Sequence, residues 1–537
     1  MRTLLSFPFR LLHILRVLTR HDALAVADAM GVYPALVKPL RRFSRRKAEG
    51  RPGQKLARAL GELGPSFIKM GQFLATRADL VGEDVAGDLA ELQDRLPPFS
   101  FEEARDLIED ELGQPLEELF EVFDRTPISA ASIAQVHFAV TRPSDEEVSA
   151  SQEDPQDFLA EDAPEAPAAG REVAVKILRP GIEHAFERDL QLFYLMARMI
   201  ERSQPPLRRF RPVAVVELFE NTVRLEMDFR MEAAAASELA DNFADDPDYE
   251  VPAIDWERTA QRVLTQTRLT GIRLDNRNAL IEAGHDLTEV LRKASAIFFN
   301  QVFRDGFFHG DQHPGNMFVT ERGTIAAVDF GIMGRLDRKT RYFLADMLLA
   351  TLARDYRRLA EVQMEAGYLP SDQAVDTYAQ ALRAVCEPIF GRPLNRISFA
   401  RLLGQLFKLT ETFNLSVQPQ LVLLQKNMLM AEGVSRRLDP SLNIWILAEP
   451  LIIRWMQENR GLKARLQHSG ETMAGALERL PETLLSVERT LNDLSENGLR
   501  LNTGTAGRFP RHNGAGRWAL PVGGLALLLA VLALLIH

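Results

Sequence analysis

The stretch His309-Gly-Asp-Gln-His-Pro-Gly-Asn316, followed by Asp329-Phe-Gly331, decides the fold prediction for this chain of 537 residues. It places a carboxylate at Asp311, an amide at Asn316, and a second carboxylate after a predicted β-hairpin. Upstream, Glu172-Val-Ala-Val-Lys176 is typical of a strand that ends in a lysine. Each motif alone is a weak signal, because such a lysine is usually solvated and Asp-Phe-Gly can be a simple turn. In this order, the three match the strand lysine, the catalytic loop and the metal-binding motif of kinases.

The chemistry of phosphoryl transfer explains why these residue types are needed. The reaction requires bound phosphates and neutralised charge rather than covalent help from the protein. Lys176 would hold the α- and β-phosphates of ATP, and Asn316 and Asp329 would hold Mg²⁺, which prefers oxygen ligands. Asp311 would accept the proton of an acceptor hydroxyl or orient a water molecule.

A charged strand lysine needs a carboxylate partner, and Glu226, Asp228 and Glu232 are the candidates. We predict one helical stretch over residues 212–242. At 100° per residue, Asp228 and Glu232 lie about 40° apart on such a helix, and Glu226 lies about 120° from Glu232. Glu232 would pair with Lys176, while Glu226 faces a second partner. A solvated surface position is the alternative for each acid, and above all for Asp228.

Two features of protein kinases are missing from the sequence. A glycine-rich loop should precede the lysine strand, but alanines occupy its place and cannot match the positive φ of glycine. The stretch that stands there consists of Ala130, Ala131, Ser132, Ile133, Ala134, Gln135 and Val136. After Gly331 there is no Ala-Pro-Glu, and helices are predicted from near Asp337. A platform for a peptide substrate is therefore not expected.

With these motifs and departures, the chain resembles the UbiB family of atypical protein-kinase-like proteins over about residues 20–460. Lys69-Met-Gly71-Gln72 is similar to the Lys-x-Gly-Gln motif of that family, Ala130-Ala131-Ser132 to its Ala-rich loop, and Glu226-Met-Asp228 to its Glu-x-Asp motif. The resemblance implies that the N-terminal extension folds over the active site and that its lysine, Lys69, meets the acids of the Glu-x-Asp motif, with Glu226 free to face it. Lys69, Gly71 and Gln72 would then gate the pocket together with Glu226 and Asp228, and bar protein substrates.

The resemblance also implies cofactors and partners. ATP and Mg²⁺ would be the cofactors, with the stretch from Ala130 to Val136 and Glu232 at the ATP site. Membrane lipids and polyprenylated quinone precursors would be the partners, together with other proteins of ubiquinone (coenzyme Q) biosynthesis. A nucleic-acid partner is not expected for a chain with a net charge of −10.

The charge is distributed unevenly along the chain. Residues 143–170 contain nine acidic residues and no basic one, which predicts a disordered, dispensable insertion before the lysine strand. Residues 1–60 contain thirteen basic and three acidic residues, so the first helix either touches anionic lipid or docks with a solvated basic face. The single cysteine, Cys386, excludes an intrachain disulfide and a cysteine-based zinc site.

The predicted fold class is α+β: a protein-kinase-like bilobal fold with a helical N-terminal extension and a C-terminal transmembrane helix. Ala519–Ile536 carries no charge and as a helix would span about 27 Å, enough for one crossing. Arginines precede it, which predicts an inner-membrane protein with a single C-terminal span and a cytoplasmic catalytic region. A buried soluble helix is the alternative. The predicted domains are 1–100 (extension), 101–283 (N-lobe), 284–460 (C-lobe), 461–516 (juxtamembrane region) and 517–537 (anchor).

Three functions fit these observations to different degrees. The best fit is an ATP- and Mg²⁺-dependent kinase or ATPase that supports ubiquinone biosynthesis by acting on or presenting polyprenyl lipid intermediates. The alternative is a nucleotide-gated lipid-binding scaffold without phosphoryl transfer. A small-molecule kinase of the aminoglycoside phosphotransferase type shares the loop pattern, but residues 60–80 and the predicted C-terminal anchor argue against it.

Overall fold

The computed structural model describes residues 2–24, 26, 49–75, 77–90, 92, 96–143, 170–203, 205–369, 374–390, 419–440 and 444–460. The chain divides into two compact units, Met1–Met456 and Gln457–His537. All the elements below belong to the first unit, except the last turn of the final helix, which is the described part of the second. Most of the acidic insertion lies outside the described residues.

The described residues of the N-terminal extension form five helices. Its helices are α1 (Arg2–Arg20), α2 (Pro52–Leu63), α3 (Pro65–Ala75), α4 (Ala78–Val81) and α5 (Glu83–Ala90). Arg10 of α1 forms an ion pair of 2.9 Å with the buried Asp189, so one basic residue of the first helix docks on the body of the protein. Helices α2 and α3 meet closely at Gly71, where an added Cβ atom would lie 2.8 Å from Leu60 Cδ1.

A five-stranded antiparallel sheet carries the predicted lysine strand. Its members are β1 (Phe120–Phe123), β2 (Ser129–Ala130), β3 (Ala134–Thr141), β4 (Glu172–Leu178) and β6 (Val263–Thr267). The order is β1-β3-β4-β6, with β2 paired to β3. Two helices precede the sheet, α6 (Phe101–Leu112) and α7 (Leu116–Leu119). Apolar residues of α6 pack on Val173, Val175 and Ile177, which point to one face of β4.

The predicted helical stretch over residues 212–242 is broken into two helices. After α8 (Ile182–Ser203) and a 3₁₀ turn (Pro205–Phe210) come α9 (Pro212–Glu226) and α10 (Phe229–Asn242). Asp228 has extended backbone angles and accepts the N–H of Arg230, so it caps α10. Aspartate favours such a cap because its short side chain reaches the unpaired N–H groups of a helix start. The predicted angle of about 120° between Glu226 and Glu232 assumed one continuous helix, so it does not apply to the observed structure.

The C-lobe is mostly helical and contains two small sheets. The strands are β5 (Tyr249–Glu250), β7 (Ile272–Arg273), β8 (Phe307–His309), β9 (Met317–Val319), β10 (Ile325–Ala327) and β11 (Met333–Arg335). The four-stranded sheet has the order β5-β10-β9-β7, and β8 pairs with β11 in the second sheet. Between them lie a 3₁₀ turn (Trp256–Arg258), α11 (Arg277–Glu282), α12 (Leu287–Phe299) and a π-helical turn (Asn300–Asp305). The later helices are α13 (Arg338–Leu352), α14 (Tyr356–Glu365), α15 (Val375–Phe390), α16 (Pro419–Leu438) and α17 (Ile444–Arg460).

The prediction of a C-terminal transmembrane helix needs correction. None of the helices in the described ranges is long and apolar enough to cross a membrane. The longest of them, α8, has seven charged residues among its 22, and charges in hydrocarbon are costly. Residues 519–536, on which the single C-terminal span was predicted, lie outside the described residues. A single C-terminal span, and the inner-membrane localisation based on it, are therefore not supported.

Candidate active site

Lys176 lies at the centre of an ion-pair network. Its Nζ donates to Glu232 Oε1 at 2.8 Å, to Glu232 Oε2 at 2.9 Å and to Asp329 Oδ1 at 3.2 Å. Its two neighbours on β4 point into the core, so the lysine points to the opposite face of the sheet. The structure thus brings together the strand lysine, the acid of α10 and the aspartate of the Asp-Phe-Gly motif.

The network shifts the pKa values of all three groups. Burial opposes the charge of Lys176, but the carboxylates of Asp329 and Glu232 outweigh it and raise the pKa of the ammonium. Lys176 in turn lowers the pKa of Asp329 to about 2. Burial raises the pKa of Glu232, while Lys176 acts in the opposite direction. The side chain of Glu232 is 6% exposed and that of Asp329 is 53% exposed, so Asp329 is the carboxylate that a ligand can reach.

The backbone of Asp329 is strained. Its φ is 65°, in the left-handed region that residues other than glycine rarely adopt. The next residue, Phe330, is fully buried, and its ring centroid lies 5.5 Å from that of His309. This packing holds the strained residue in place. Such outliers cluster at functional sites, which agrees with a ligand-binding role for this aspartate.

The loop after β8 is shaped by bonds among its own residues. His309 accepts the N–H of Asp311 on Nδ1 at 3.0 Å, and His313 accepts the N–H of Gly315 on Nδ1 at 3.0 Å. Asn316 donates from Nδ2 to the Asp311 carbonyl at 3.2 Å. Burial lowers the pKa of His309, which agrees with a neutral imidazole that accepts on Nδ1. Both histidines therefore order the loop around Asp311.

Helix α16 adds two residues to this loop that the motifs did not predict. Lys426 Nζ donates to Asp311 Oδ1 at 2.8 Å. The fully buried Asn427 donates to the His309 carbonyl at 2.6 Å and accepts the N–H of Gln312 at 3.3 Å. Lys426 lies 115 positions after Asp311, so only the fold brings them together. The one feature of the sequence that could have indicated this role is the polar pair Lys426 and Asn427 within a stretch rich in leucine, valine and methionine.

Two residues of the site have oxygen atoms suited to a cation. Asn316 precedes β9 and Asp329 follows β10, and the N–H of Val328 donates to the Asn316 carbonyl at 2.9 Å across this hairpin. The Asn316 side chain uses its nitrogen on the loop backbone, so its amide oxygen is the atom left to face a ligand. Together with the ionised Asp329, this is a hard-oxygen donor set that fits Mg²⁺ bound with phosphates.

The Ala-rich stretch forms a tight turn beside the lysine strand. The N–H of Ala131 donates to the Ala134 carbonyl at 2.7 Å, which closes the turn between β2 and β3. Ser132, Ile133, Ala134 and Gln135 are buried, whereas Ala130, Ala131 and Val136 are half-buried. Val136 is the register partner of Lys176 on the neighbouring strand. The predicted loop therefore lies next to the predicted lysine.

Lys69 in the extension reaches the same site. Its Nζ lies 2.9 Å from Oε2 of Glu226, the last residue of α9, and both side chains are less than one-fifth exposed. The charge of Lys69 also helps, after larger contributions led by Lys176, to lower the pKa of Asp329. The extension is thus linked to the acid of α9 and acts electrostatically on the Asp-Phe-Gly motif.

The other predicted gating residues occupy different places. Gly71 and Gln72 follow Lys69 on α3, where Gly71 is buried and Gln72 is half-buried. The carboxylate of Asp228 accepts Arg230 Nη2 at 2.7 Å as well as the Arg230 backbone N–H. Its pKa is lowered chiefly by the hydrogen bond from Arg230. Asp228 is therefore a helix cap in this structure.

Two family models match consecutive parts of the chain. The ABC1 atypical kinase-like domain matches residues 91–151 and 165–363, and the UbiB helical domain matches residues 382–443. A mycobacterial protein solved with erythromycin, from Mycobacterium tuberculosis, aligns with 71% of this chain and 94% of its own at 23% identity, with a TM-score of only 0.44.

Curated relatives match most of the chain. A probable protein kinase UbiB of Azotobacter vinelandii is 41% identical over 85% of this chain and 80% of its own length. Proteins of the same name from Marinobacter nauticus and Pseudomonas aeruginosa are 41% and 37% identical, over 83% and 95% of this chain and 78% and 92% of their own length. With this identity over this length, and with both domain models matched in order, the chain belongs to the UbiB family of ABC1 atypical kinase-like proteins.

Proposed function

We propose that this protein is an ATP- and Mg²⁺-dependent atypical kinase or ATPase that supports ubiquinone biosynthesis. The observation that carries the proposal is the position of Lys176, bonded at once to Glu232 and Asp329. Kinases need both this lysine–glutamate pair and the Asp-Phe-Gly aspartate in place before they bind nucleotide productively. Three elements far apart in sequence supply these groups, so the arrangement is difficult to explain as a chance surface ion pair.

Each residue has a role that its surroundings support. Lys176 holds the α- and β-phosphates, and Glu232 fixes the direction of its side chain. Asp311 accepts the proton of the attacking hydroxyl or water, from a loop that His309 and Asn316 keep ordered. Asn316 and Asp329 would hold Mg²⁺, which when bound neutralises charge on the phosphates. No long activation segment follows the metal-binding motif, because α13 begins at Arg338 with Asp337 as its cap.

A measurement of phosphate release with purified full-length protein tests this proposal. Wild-type protein should release phosphate from ATP in the presence of Mg²⁺, and Asp329→Asn should lose at least about 100-fold in rate, as expected for a charge that acts in the transition state. Asp376→Asn is the matched control, since this aspartate of α15 is 80% exposed. Equal rates for wild type and Asp329→Asn would reject the proposal.

The acceptor is proposed to be, or to lie close to, a polyprenyl lipid. The support is the family, whose curated members bear the name UbiB, and the lack of a peptide platform after Gly331. Phosphate release should rise when liposomes and a polyprenylated quinone-precursor analogue are added. Quinone intermediates compared by mass spectrometry in cells with and without the protein would show the step that it supports, and unchanged intermediates would contradict this role.

A nucleotide-gated lipid scaffold is the second candidate. It is favoured by the Lys69–Glu226 pair, through which an element outside the kinase-like core reaches the site. A scaffold would bind ATP and change its lipid affinity without releasing phosphate. The Asp329→Asn comparison separates the two candidates, because a scaffold has no turnover for that substitution to remove.

A further inference from the structure

We propose that Lys426 is a phosphate-binding residue of this site, which contacts the γ-phosphoryl group of a bound nucleoside triphosphate. The inference deepens the function proposed above and rests on it for the identity of the ligand. It assigns a direct role at the site to helix α16, which lies outside the kinase-like domain and inside the stretch that matches the UbiB helical domain. The argument comes from the charge that the site needs and from the atoms that surround Asp311.

The catalytic loop lacks a cation of its own. Charge in phosphoryl transfer is spread over the three γ-oxygens, and such sites use a cation beyond the one that holds the α- and β-phosphates. Between Asp311 and Asn316 there is no lysine or arginine. Lys176 is already bonded to Glu232 and Asp329. Lys426 provides the additional positive charge, with its Nζ 2.8 Å from Asp311 Oδ1.

The position of Lys426 permits a second contact. Its side chain is 37% exposed and that of Asp311 is 31% exposed, so the pair is open to a ligand. An ammonium has three donors, and the bond to Asp311 uses one of them. His309 accepts the N–H of Asp311 at 3.0 Å, and its ring centroid lies 5.5 Å from that of Phe330, the residue after Asp329. The Asp311–Lys426 pair and the Asp-Phe-Gly motif therefore lie beside the same histidine. A phosphoryl group that lies between the metal-binding aspartate and Asp311 would therefore meet Lys426.

The neighbouring residue fixes the helix to the loop. Asn427 is fully buried and uses its amide twice, on the His309 carbonyl and on the Gln312 N–H. These two bonds flank Asp311 in the chain, so α16 and the loop keep a fixed register. A lysine on a helix held in this way loses little freedom when it binds a ligand, as preorganised phosphate sites require. Asn427 is thus a positioning residue for Lys426 and Asp311.

A comparison of the affinities for ATP and ADP tests this inference, because only ATP has a γ-phosphoryl group. We would measure the dissociation constants of both nucleotides with Mg²⁺ for full-length wild type, Lys426→Met and Lys426→Arg. Lys426→Met should weaken ATP binding by about tenfold or more and leave ADP binding unchanged, as expected for one charge-assisted hydrogen bond. Lys426→Arg should keep part of the preference for ATP. Arg437→Met is the matched control on the same helix, because its guanidinium pairs with Asp275 instead of the loop.

The same measurements can overturn the inference. Equal weakening of ATP and ADP by Lys426→Met, or no weakening of either, would contradict a γ-phosphoryl contact. If Lys426 only neutralised Asp311, adding Lys426→Met to Asp311→Asn would have no further effect on nucleotide affinity. The inference therefore requires that Lys426→Met also removes the preference for ATP when Asp311 is replaced by Asn. Wild-type protein that prefers ATP through Lys426 but releases no phosphate would reject the proposed turnover and keep this inference. Wild-type protein that binds neither nucleotide would reject both.

Discussion

At the scale of single residues, the carboxylate of Asp329 shows how one side chain is prepared for a cation. Its backbone is strained, its side chain is half exposed, and the nearby ammonium of Lys176 holds its pKa near 2. An aspartate of this kind stays ionised throughout the physiological range. In the proposed function it would bind Mg²⁺ without first losing a proton, and the depressed pKa also implies that its charge stabilises the fold.

That contribution has a definite pH dependence. The folded pKa of about 2 lies below the ordinary value of about 3.9, so ionised Asp329 stabilises the protein above about pH 4. The contribution is lost as the pH falls from about 4 towards 2. The difference in unfolding free energy between wild type and Asp329→Asn should therefore narrow between about pH 6 and pH 3. Because solvent screens the half-exposed carboxylate, we expect a change below about 1 kcal/mol. A constant difference over this range would contradict the assignment.

At the scale of elements, the break between α9 and α10 decides where the acids point. Helix α9 ends at Glu226 with Met227 as its C-cap, and Asp228 caps the start of α10. Glu226 and Glu232 therefore lie on separate helices. The two partners predicted for these acids are nevertheless the ones observed, Lys69 and Lys176. The agreement does not come from the helix angles used to predict it. Two substitutions of Asp228 can show whether this residue acts only as a helix cap or also as a gating residue.

We predict that Asp228→Ala lowers the unfolding free energy by about 1 kcal/mol, the usual cost of losing a helix cap. Asp228→Asn keeps a capping oxygen and should restore most of this loss. Both variants retain Glu226, the acid that pairs with Lys69. Loss of the Asp228 charge alone should therefore not weaken nucleotide binding, and any loss of affinity should parallel the loss of stability. Chemical denaturation and nucleotide titration of the two variants provide the measurement. If Asp228→Asn were as stable as wild type but bound nucleotide much more weakly, the carboxylate charge would act in the site as well.

The acidic insertion joins two strands that already close on each other. Val140 pairs with Glu172 in the ladder, and the N–H of Thr141 donates to the Arg171 carbonyl at 2.9 Å. The N–H of Arg171 donates back to Thr141 Oγ1 at 3.0 Å. A short Gly-Ser turn in place of residues 144–169 should therefore change the unfolding free energy by less than about 1 kcal/mol. Nucleotide affinity should not change, and its loss from a folded deletion variant would show that the insertion has a function.

The sequence predicted elements best where local signals are strong. β4 begins at Glu172 as predicted and continues two residues past Lys176, and α13 starts where Asp337 provides a cap. The strands β8 and β11 were missed, because three residues are too few for a period-two pattern. Lys426 and Asn427 were missed for a different reason: their contacts depend on the packing of a distant helix, which no local motif describes. The prediction therefore covered the network of Lys176, Glu232 and Asp329 and missed the contacts from the helical domain.

At the scale of the whole molecule, the extension and the kinase-like core are linked through a few well-shielded charges. Lys69–Glu226 joins α3 to α9, and Arg10–Asp189 joins α1 to α8. Lys69 of the first link acts electrostatically on Asp329 of the proposed nucleotide site, whereas Asp189 of the second link lies on α8. If the extension controls access to the site, only the first link should affect how fast nucleotide enters and leaves.

Charge reversal at the Lys69–Glu226 pair tests this prediction. Lys69→Glu or Glu226→Lys alone places like charges together, so each variant should loosen α3, expose it to proteolysis and speed nucleotide release. The double variant restores an ion pair and should recover the wild-type rate, with a coupling energy of about 0.5–3 kcal/mol. Lys55→Glu is the matched control, because the Lys55–Asp22 pair has the same length of 2.9 Å and similar exposure elsewhere in the extension. It should lower stability without changing nucleotide release. If Lys55→Glu sped release as much as Lys69→Glu, the extension would act through its stability alone, and the Lys69–Glu226 pair would not be a gate.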